Sequence, residues 1–453
     1  MTQLDRWVAG HRDEAVRELA GWVAQPSVSS DGTGFPAATR YGADLVRRCG
    51  LVAEVIETGG RPLIVGAGGG DHGGPHVLIY GHYDVQPPGP PQDWTTPPFQ
   101  PEIRAGRMYG RGTGDNKGQH LAHLLALRAL REISGTLPCR VTVVLDGEEE
   151  IGSPNLAAAV RHRFAAGRPG AAGRPDLALW SDGPVHQSGR ATVVLGVRGI
   201  VTFELRATGA ASPLHSGNWG GVAPNPAWRL VHLLASMRSA DGRVLIEGAE
   251  AGARPLSPGE RAALDALTVA VDEVLRDIGA DALEPPAQAG YYERLSRPTF
   301  TINSLTCEDG GDHRTVIPNV AVAKCDMRLV GGQRTADVIA AIRRHVAAHD
   351  PAVTFVPGRC MEPSRTLPES RYTDAVIRGA RAGLGEEPLL VPALGGSLPI
   401  AEFSDTLGIP CYGMPLANAD ERNHAPDENM EVSRFLRGIT AAAGVLLALG
   451  GAL

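Results

Sequence analysis

Three stretches place groups capable of acid, base or metal chemistry directly after apolar runs. In "HVLIYGHYDVQP" (76–87) a short buried strand is expected over 76–81, and His82 and Asp84 follow it. The run 141–145 (VTVVL) leads into "DGEEEIGS", with Asp146, Glu148, Glu149 and Glu150. The run 176–180 leads into "SDGP", with Asp182. A fourth acid, Asp115, sits in "GRGTGDNKG" at the start of a helix. In open α/β sheets, ligands bind beyond the carboxyl ends of the strands, so these groups converge on one rim. Carboxylates gathered this closely repel one another, and a divalent cation between them removes that cost. One imidazole with several carboxylates suits zinc, manganese or cobalt. With a bridging carboxylate, two such ions fit roughly 3.5–4 Å apart.

Each signal alone has a plainer explanation. A single histidine after a strand is usually structural, and a run of three glutamates is usually a solvated loop face. Acids after three core strands together are much harder to ascribe to chance. His120 and His123, three apart on the following helix, are expected on its exposed face. The glycines of "GRGTGD" do not make a phosphate loop, because no Lys-Ser/Thr follows and Asp115 would repel an anion. The glycines of 66–74 precede a strand, so a dinucleotide fingerprint fails as well.

The elements that must position these groups follow from apolar periodicity. Residues 4–24 read as an amphipathic helix, and near-continuous apolar strands then alternate with helices, as in a sheet buried on both faces. From about 197 the pattern changes to strands at 200–208, 298–305, 319–329 and near 352–356, with helices at 225–237 and 335–348. Asn225 caps the first of these helices and Pro226 opens it. The order β-α-β-β-α-β is that of a ferredoxin-like unit. The stretch 240–290 is expected to be a helical insertion, and the chain closes on a helix at 432–449. The expected architecture is therefore an α/β catalytic domain with a mostly parallel central sheet, formed by 1–196 and 359–453. It is interrupted by a ferredoxin-like α+β lid and dimerisation domain at 197–358.

The totals are compatible with this. At 453 residues the chain exceeds one ordinary core of ~150 residues. Its 43% hydrophobic and 21% charged residues are those of a globular protein, and the net charge of −7 gives no attraction to nucleic acid or anionic membrane. No run of 18 apolar residues suggests a membrane span. The N-terminal stretch has charges throughout and no apolar core of a signal peptide. The six scattered cysteines form no C-x-x-C pair, which points to a reduced, cytoplasmic setting.

The motifs "GHYDVQP", "GRGTGDNKG", "DGEEEIGS", "SDGP" and "LHSGNWGGVAPNP" resemble those of the co-catalytic zinc metallopeptidases. That family includes carnosine-type dipeptidases, glutamate carboxypeptidases and the acetylornithine and succinyl-diaminopimelate deacylases. The resemblance runs from about 20 to 450. The style of "RTVIPN", "MRLVGGQ", "GGSLPI" and "RNHAPDENM" is that of the dipeptidase branch. It implies two divalent metal ions, with His82 and Asp182 on one, Glu149 and His424 on the other, and Asp115 bridging. Glu148 is implied as the general base and Asp84 as the partner that orients His82. A cis peptide is implied at Asp115-Asn116. His215 is implied to reach across a homodimer to the partner subunit's site, and Thr315, Arg328 and Ser397 to hold the carboxylate end of a small peptide. The implied reaction is hydrolysis of dipeptides or short peptides by a water whose pKa a metal lowers from ~15.7 toward ~7. An N-acyl amino acid deacylase is the main alternative; a non-catalytic metal-binding protein is a second.

Overall fold

The structure, a computed structural model, describes all residues except 70–72, 165–172, 285–289 and 308–314. Its framework is an eight-stranded sheet. In spatial order the strands are Val52–Ile56, Leu63–Gly68, Arg140–Asp146, His76–His82, Leu177–Trp180, Cys411–Gly413, Thr192–Val194 and Leu389–Val391. The four central strands, from Arg140–Asp146 to Cys411–Gly413, run parallel. The Val52–Ile56 and Leu63–Gly68 strands add an antiparallel edge. Every residue of His76–His82 is buried, as expected of a strand covered on both faces.

One face is covered by a core that includes the helices Gly118–Ser134 and Val432–Leu449. A second core, with Tyr80, Trp180, Phe403 and Leu156, covers the other. The Val432–Leu449 helix is long and apolar enough to cross a membrane, but most of it is buried inside the protein. It lies so close to the Thr373–Leu384 helix that a Cβ on Gly379 would stand 2.4 Å from Val445 Cα. Helix propensity favours alanine over glycine by up to ~1 kcal/mol. Here the backbone clash opposes it, and overpacking costs about 1–3 kcal/mol. Gly379→Ala is therefore expected to lower the denaturant midpoint, and an unchanged or raised midpoint would show that the helices can separate freely.

A second sheet is built from residues 199–361. Its order is Thr299–Cys307, Val320–Leu329, Gly199–Thr208 and Thr354–Met361, antiparallel throughout. Helices Pro226–Met237 and Thr335–His349 complete the β-α-β-β-α-β order and pack on one core with Phe203, Met327 and Ile342. Asn225 caps Pro226–Met237 by accepting from the Ala227 N–H. The outer strand runs on to Met361, beyond the expected 352–356.

One other expectation needs adjusting and another holds. The N-terminal helix is two, Thr2–Gly10 and Arg12–Val23, broken at His11 (φ −106°, ψ 11°) next to a glycine that weakens the helix. The 240–290 segment does hold helices, Pro258–Asp265 and Val271–Ile278. Just beyond it, Tyr291–Leu295 turns back toward the catalytic sheet, where Tyr291 and Leu295 line the cleft described below.

Candidate metal centre

The parallel register aligns the strand ends that carry the chemistry. His82 pairs with Asp146, and Tyr80 with Trp180, so "GHYD", "DGEEE" and "SDGP" leave the sheet side by side. His82 is fully buried. Its Nε2 lies 3.1 Å from Asp115 Oδ1 and 3.3 Å from Asp182 Oδ2, in an orientation that makes a hydrogen bond to neither. On the other side of Asp115, His424 Nε2 lies 3.1 Å from Asp115 Oδ2 and 3.3 Å from Glu150 Oε2. These form two three-residue clusters, His82–Asp115–Asp182 and Asp115–Glu150–His424, that share one carboxylate. The Asp115-Asn116 peptide is cis, and Asn116 Nδ2 donates to Ser181 O at 2.6 Å.

The "EEE" run resolves differently from expectation. Glu150 stands with His424, where Glu149 was expected. Gln86 fixes Glu150 by donating its backbone N–H to Oε1 (3.1 Å) and its Nε2 to Oε2 (2.9 Å). Glu149 lies in the lining of the cleft. Glu148, the expected base, faces away from both clusters. It accepts from the Arg61 N–H at 2.9 Å and from Asn155 Nδ2 at 2.8 Å. The turn explains this shift. Asp146 Oδ1 accepts the Glu148 N–H, and the two Asp84 oxygens accept the N–H groups of Glu149 (3.1 Å) and Glu150 (3.0 Å). Three successive side chains leaving so tight a turn cannot face one centre. His82 Nδ1 bonds the Asp84 backbone oxygen at 3.1 Å, with the Asp84 carboxylate 3.4 Å away, so one residue orients the imidazole and the glutamate turn together.

Electrostatics reflects the crowding. Burial alone would lower the His82 pKa, but the carboxylates of Asp115, Asp182 and Asp84 outweigh it and raise the pKa well above the usual range. Hydrogen bonds to Asp115 and Glu150 hold His424 up to about 10. Burial, then repulsion from Asp115, pushes Glu150 up to about 7, and burial pushes Glu149 well above its usual value. A buried imidazole nitrogen with no hydrogen bond, facing carboxylate oxygens in two clusters that share Asp115, is a donor set for divalent cations.

Several supporting groups were not visible from spacing. Glu428 is buried. Its Oε1 accepts the N–H groups of Gly112, Gly114 and Asp115, each at 3.0 Å, while Oε2 takes Arg111 Nη1 at 2.7 Å. It therefore cradles the loop that presents Asp115. The only advance sign of it was its place in "RNHAPDENM". His120 and His123 are buried, contrary to the exposed face expected. Trp22 Nε1 donates to His120 Nε2, and His123 Nε2 lies 2.7 Å from Ser181 Oγ. They pack under the rim because their helix is covered by the Val432–Leu449 helix and the sheet.

A cleft of about 670 Å³ opens on the clusters, lined by Asp115, Glu149, Glu150, Asp182 and His424. Arg328 and Ser397 also line it, joined by an Arg328 Nη1 to Ser397 Oγ hydrogen bond of 3.0 Å. Thr315 and His215 do not. They lie together on the lid, where Ser216 N–H donates to Thr315 O and His215 Nδ1 accepts from the Gly217 N–H.

The chain is similar to known proteins over nearly its whole length. The chain is 26% identical to the Cys-Gly metallodipeptidase dug1 of Schizosaccharomyces pombe, over 94% of each chain. It is also 26% identical to the Beta-Ala-His dipeptidase of Rattus norvegicus, over 99% of this chain and 95% of the relative. The M20 family metallo-carboxypeptidase Sso-CP2 from Sulfolobus solfataricus superposes with a TM-score of 0.87 and 28% identity, covering 96% of this chain and 99% of that one. Human carnosine dipeptidase 1 superposes with a TM-score of 0.82 and 25% identity, covering 99% and 98%. Residues 78–448 match the family model, and the chain belongs to peptidase family M20/M25/M40, whose metallodipeptidases are among the relatives it resembles over nearly its full length.

Proposed function

We propose that the protein hydrolyses the amide bond of dipeptides or short peptides that end in a free carboxylate. The observation behind this reading is the shared Asp115, which joins two histidine–carboxylate clusters beside the Arg328–Ser397 pair. His82, Asp115 and Asp182 would hold one divalent ion and Asp115, Glu150 and His424 the other; zinc fits the donors, with manganese or cobalt close behind. Bound there, the ions supply Lewis acidity to the scissile carbonyl and to a water.

The chain's own groups do the rest. Glu149, buried in the lining of the cleft and bonded through its N–H to Asp84, takes the proton of the attacking water as the C–O bond forms. It then delivers that proton to the leaving nitrogen as the C–N bond breaks. This moves the base and ligand roles one residue along from the sequence expectation: Glu149 in place of Glu148, and Glu150 in place of Glu149. Arg328 offers a planar fork to the substrate's terminal carboxylate, with Ser397 beside it.

His215 and Thr315 would act on the site of a partner subunit in a homodimer, where His215 donates to the developing oxyanion. Exposed Trp219 (46%), Val222 (73%) and Trp228 (60%) on the same lid support such an interface. The buried thiols Cys49, Cys139, Cys325 and Cys411 pack as small apolar groups, which supports a cytoplasmic setting. Among the described lining residues no carboxylate is left over for a substrate ammonium, and this favours an N-acyl amino acid deacylase as second reading.

The test is a panel of dipeptides and N-acyl amino acids, assayed after chelation and after return of Zn²⁺ or Mn²⁺. Hydrolysis should vanish with the chelator and return with the metal. Hydrolysis that survives complete chelation, or a metal-replete protein inert toward the whole panel, would refute the proposal.

A further inference from the structure

The cleft has more positive charge on its lid side than one carboxylate needs. Among the described residues three arginines line it: Arg198, Arg328 and Arg359. The four lining carboxylates, Asp115, Glu149, Glu150 and Asp182, belong to the two metal clusters or to the base. Arg328 lies 3.3 Å from Asp326 through its Nε and points its fork at Ser397. Arg198 is buried, yet among the described residues its side chain makes one hydrogen bond, from Nε to Gly395 O at 2.9 Å, and no ion pair.

Arg359 is the most telling of the three. It extends from the outermost lid strand across to the catalytic domain, over Gly152. A Cβ on that glycine would meet Arg359 Cδ at 3.1 Å and Cγ at 3.2 Å. Gly152 has φ +93°, so the turn after the glutamates both needs a glycine and leaves room for this arm. The guanidinium ends beside the second cluster, where Nη1 donates to the Glu150 backbone oxygen at 3.3 Å. Among the described residues no carboxylate forms an ion pair with it. A guanidinium held over a catalytic cleft by a single bond to a carbonyl keeps most of its five donors for an incoming anion.

Position separates its role from that of Arg328. Ile200 pairs with Arg328 on one side and with Met361 on the other, so the central lid strand lies between the two arginines. With strands ~4.8 Å apart, their backbones stand about 10–12 Å from each other. Their guanidiniums are also anchored on different elements, Arg328 at Ser397 and Arg359 at the Glu150 carbonyl, which suits each to its own carboxylate. An extended residue spans ~3.5 Å, so a terminal carboxylate at Arg328 leaves the acyl side of the scissile bond within reach of Arg359.

Resting on the proposed peptidase reading, we infer that Arg359 is a specificity residue that recognises a second carboxylate, carried on the acyl side of the scissile bond. Two sources share this chemistry: an aspartyl or glutamyl residue, or a dicarboxylic N-acyl group such as succinyl.

The test compares kcat/KM for metal-replete enzyme on matched pairs: Glu-Xaa against Gln-Xaa, Asp-Xaa against Asn-Xaa, and N-succinyl against N-acetyl amino acids. The acidic member of at least one pair should be preferred by about tenfold or more, the scale of a charge-assisted bidentate contact, and the pair that shows it identifies the source. Arg359→Gln should bring that ratio to near one, chiefly through KM, and Arg359→Lys should restore part of it. Kd values of the same uncleaved pairs on the Glu149→Gln variant should show the same ratio without turnover, and a matching thermal midpoint for Arg359→Gln establishes that it is folded. Equal rates on charged and neutral members of all pairs, or a ratio unchanged in Arg359→Gln, would overturn the inference while leaving the peptidase reading intact. Inactivity toward every substrate would remove both.

Discussion

Glu149→Gln is expected to lower kcat by about 10²–10⁴, the usual worth of a positioned general base, with both metal sites still filled. Glu148→Gln should behave quite differently. Its carboxylate pins the turn around Arg61, and a Cβ on Gly60 would stand 1.9 Å from Glu148 Oε1. A glutamine there keeps one acceptor for the Arg61 N–H, so the loss is about 1 kcal/mol of stability, with turnover little changed. Steady-state kinetics with metal analysis on the two purified variants separates them. If Glu148→Gln is the inactive one while Glu149→Gln works normally, the assignment of roles along this turn is wrong.

The second large effect concerns His215. His215→Ala should cost about 10²-fold in kcat, the ~3 kcal/mol typical of one oxyanion donor. Its own cleft does not contain it, since His215 lies on the lid with Thr315 and caps the short Ser216–Trp219 helix. Mixing His215→Ala with Glu149→Gln subunits should therefore restore activity. In a mixed form of the proposed homodimer, the subunit that keeps Glu149 would receive His215 from its neighbour, which would give one working site of two. Recovery to about a quarter of normal specific activity is expected from random mixing, because half the dimers are mixed and each has half its sites. No recovery after confirmed subunit exchange would place the histidine's action within its own chain.

Much of this architecture can be read from the chain. Strand ends show up because apolar runs stop abruptly at His82, Asp146 and Asp182, and the parallel register then aligns them. The lid can be read because its strands alternate, as in the buried and half-buried pattern of Gly199–Thr208. What stays hidden is set by turns and by distant chain segments. Three adjacent glutamates are equivalent as letters; the Asp84 hydrogen bonds decide which of them faces His424. Glu428 lies more than 300 residues from the loop it holds, and no local periodicity reports such a contact. His120 and His123 look like surface residues because helical spacing does not reveal that a second helix covers them.

The connection between Glu428 and the Asp115 loop also bears on how the enzyme is born. Two strands of the catalytic sheet, together with His424 and Glu428, emerge from the ribosome only after the whole lid has been made. Until then the early half presents an acidic, half-covered rim with no cradle under Asp115. Contacts this far apart in sequence close late and slowly. The Asp115–Glu150–His424 cluster is complete only once His424 has been made, so filling of that second site should be a finishing step of synthesis.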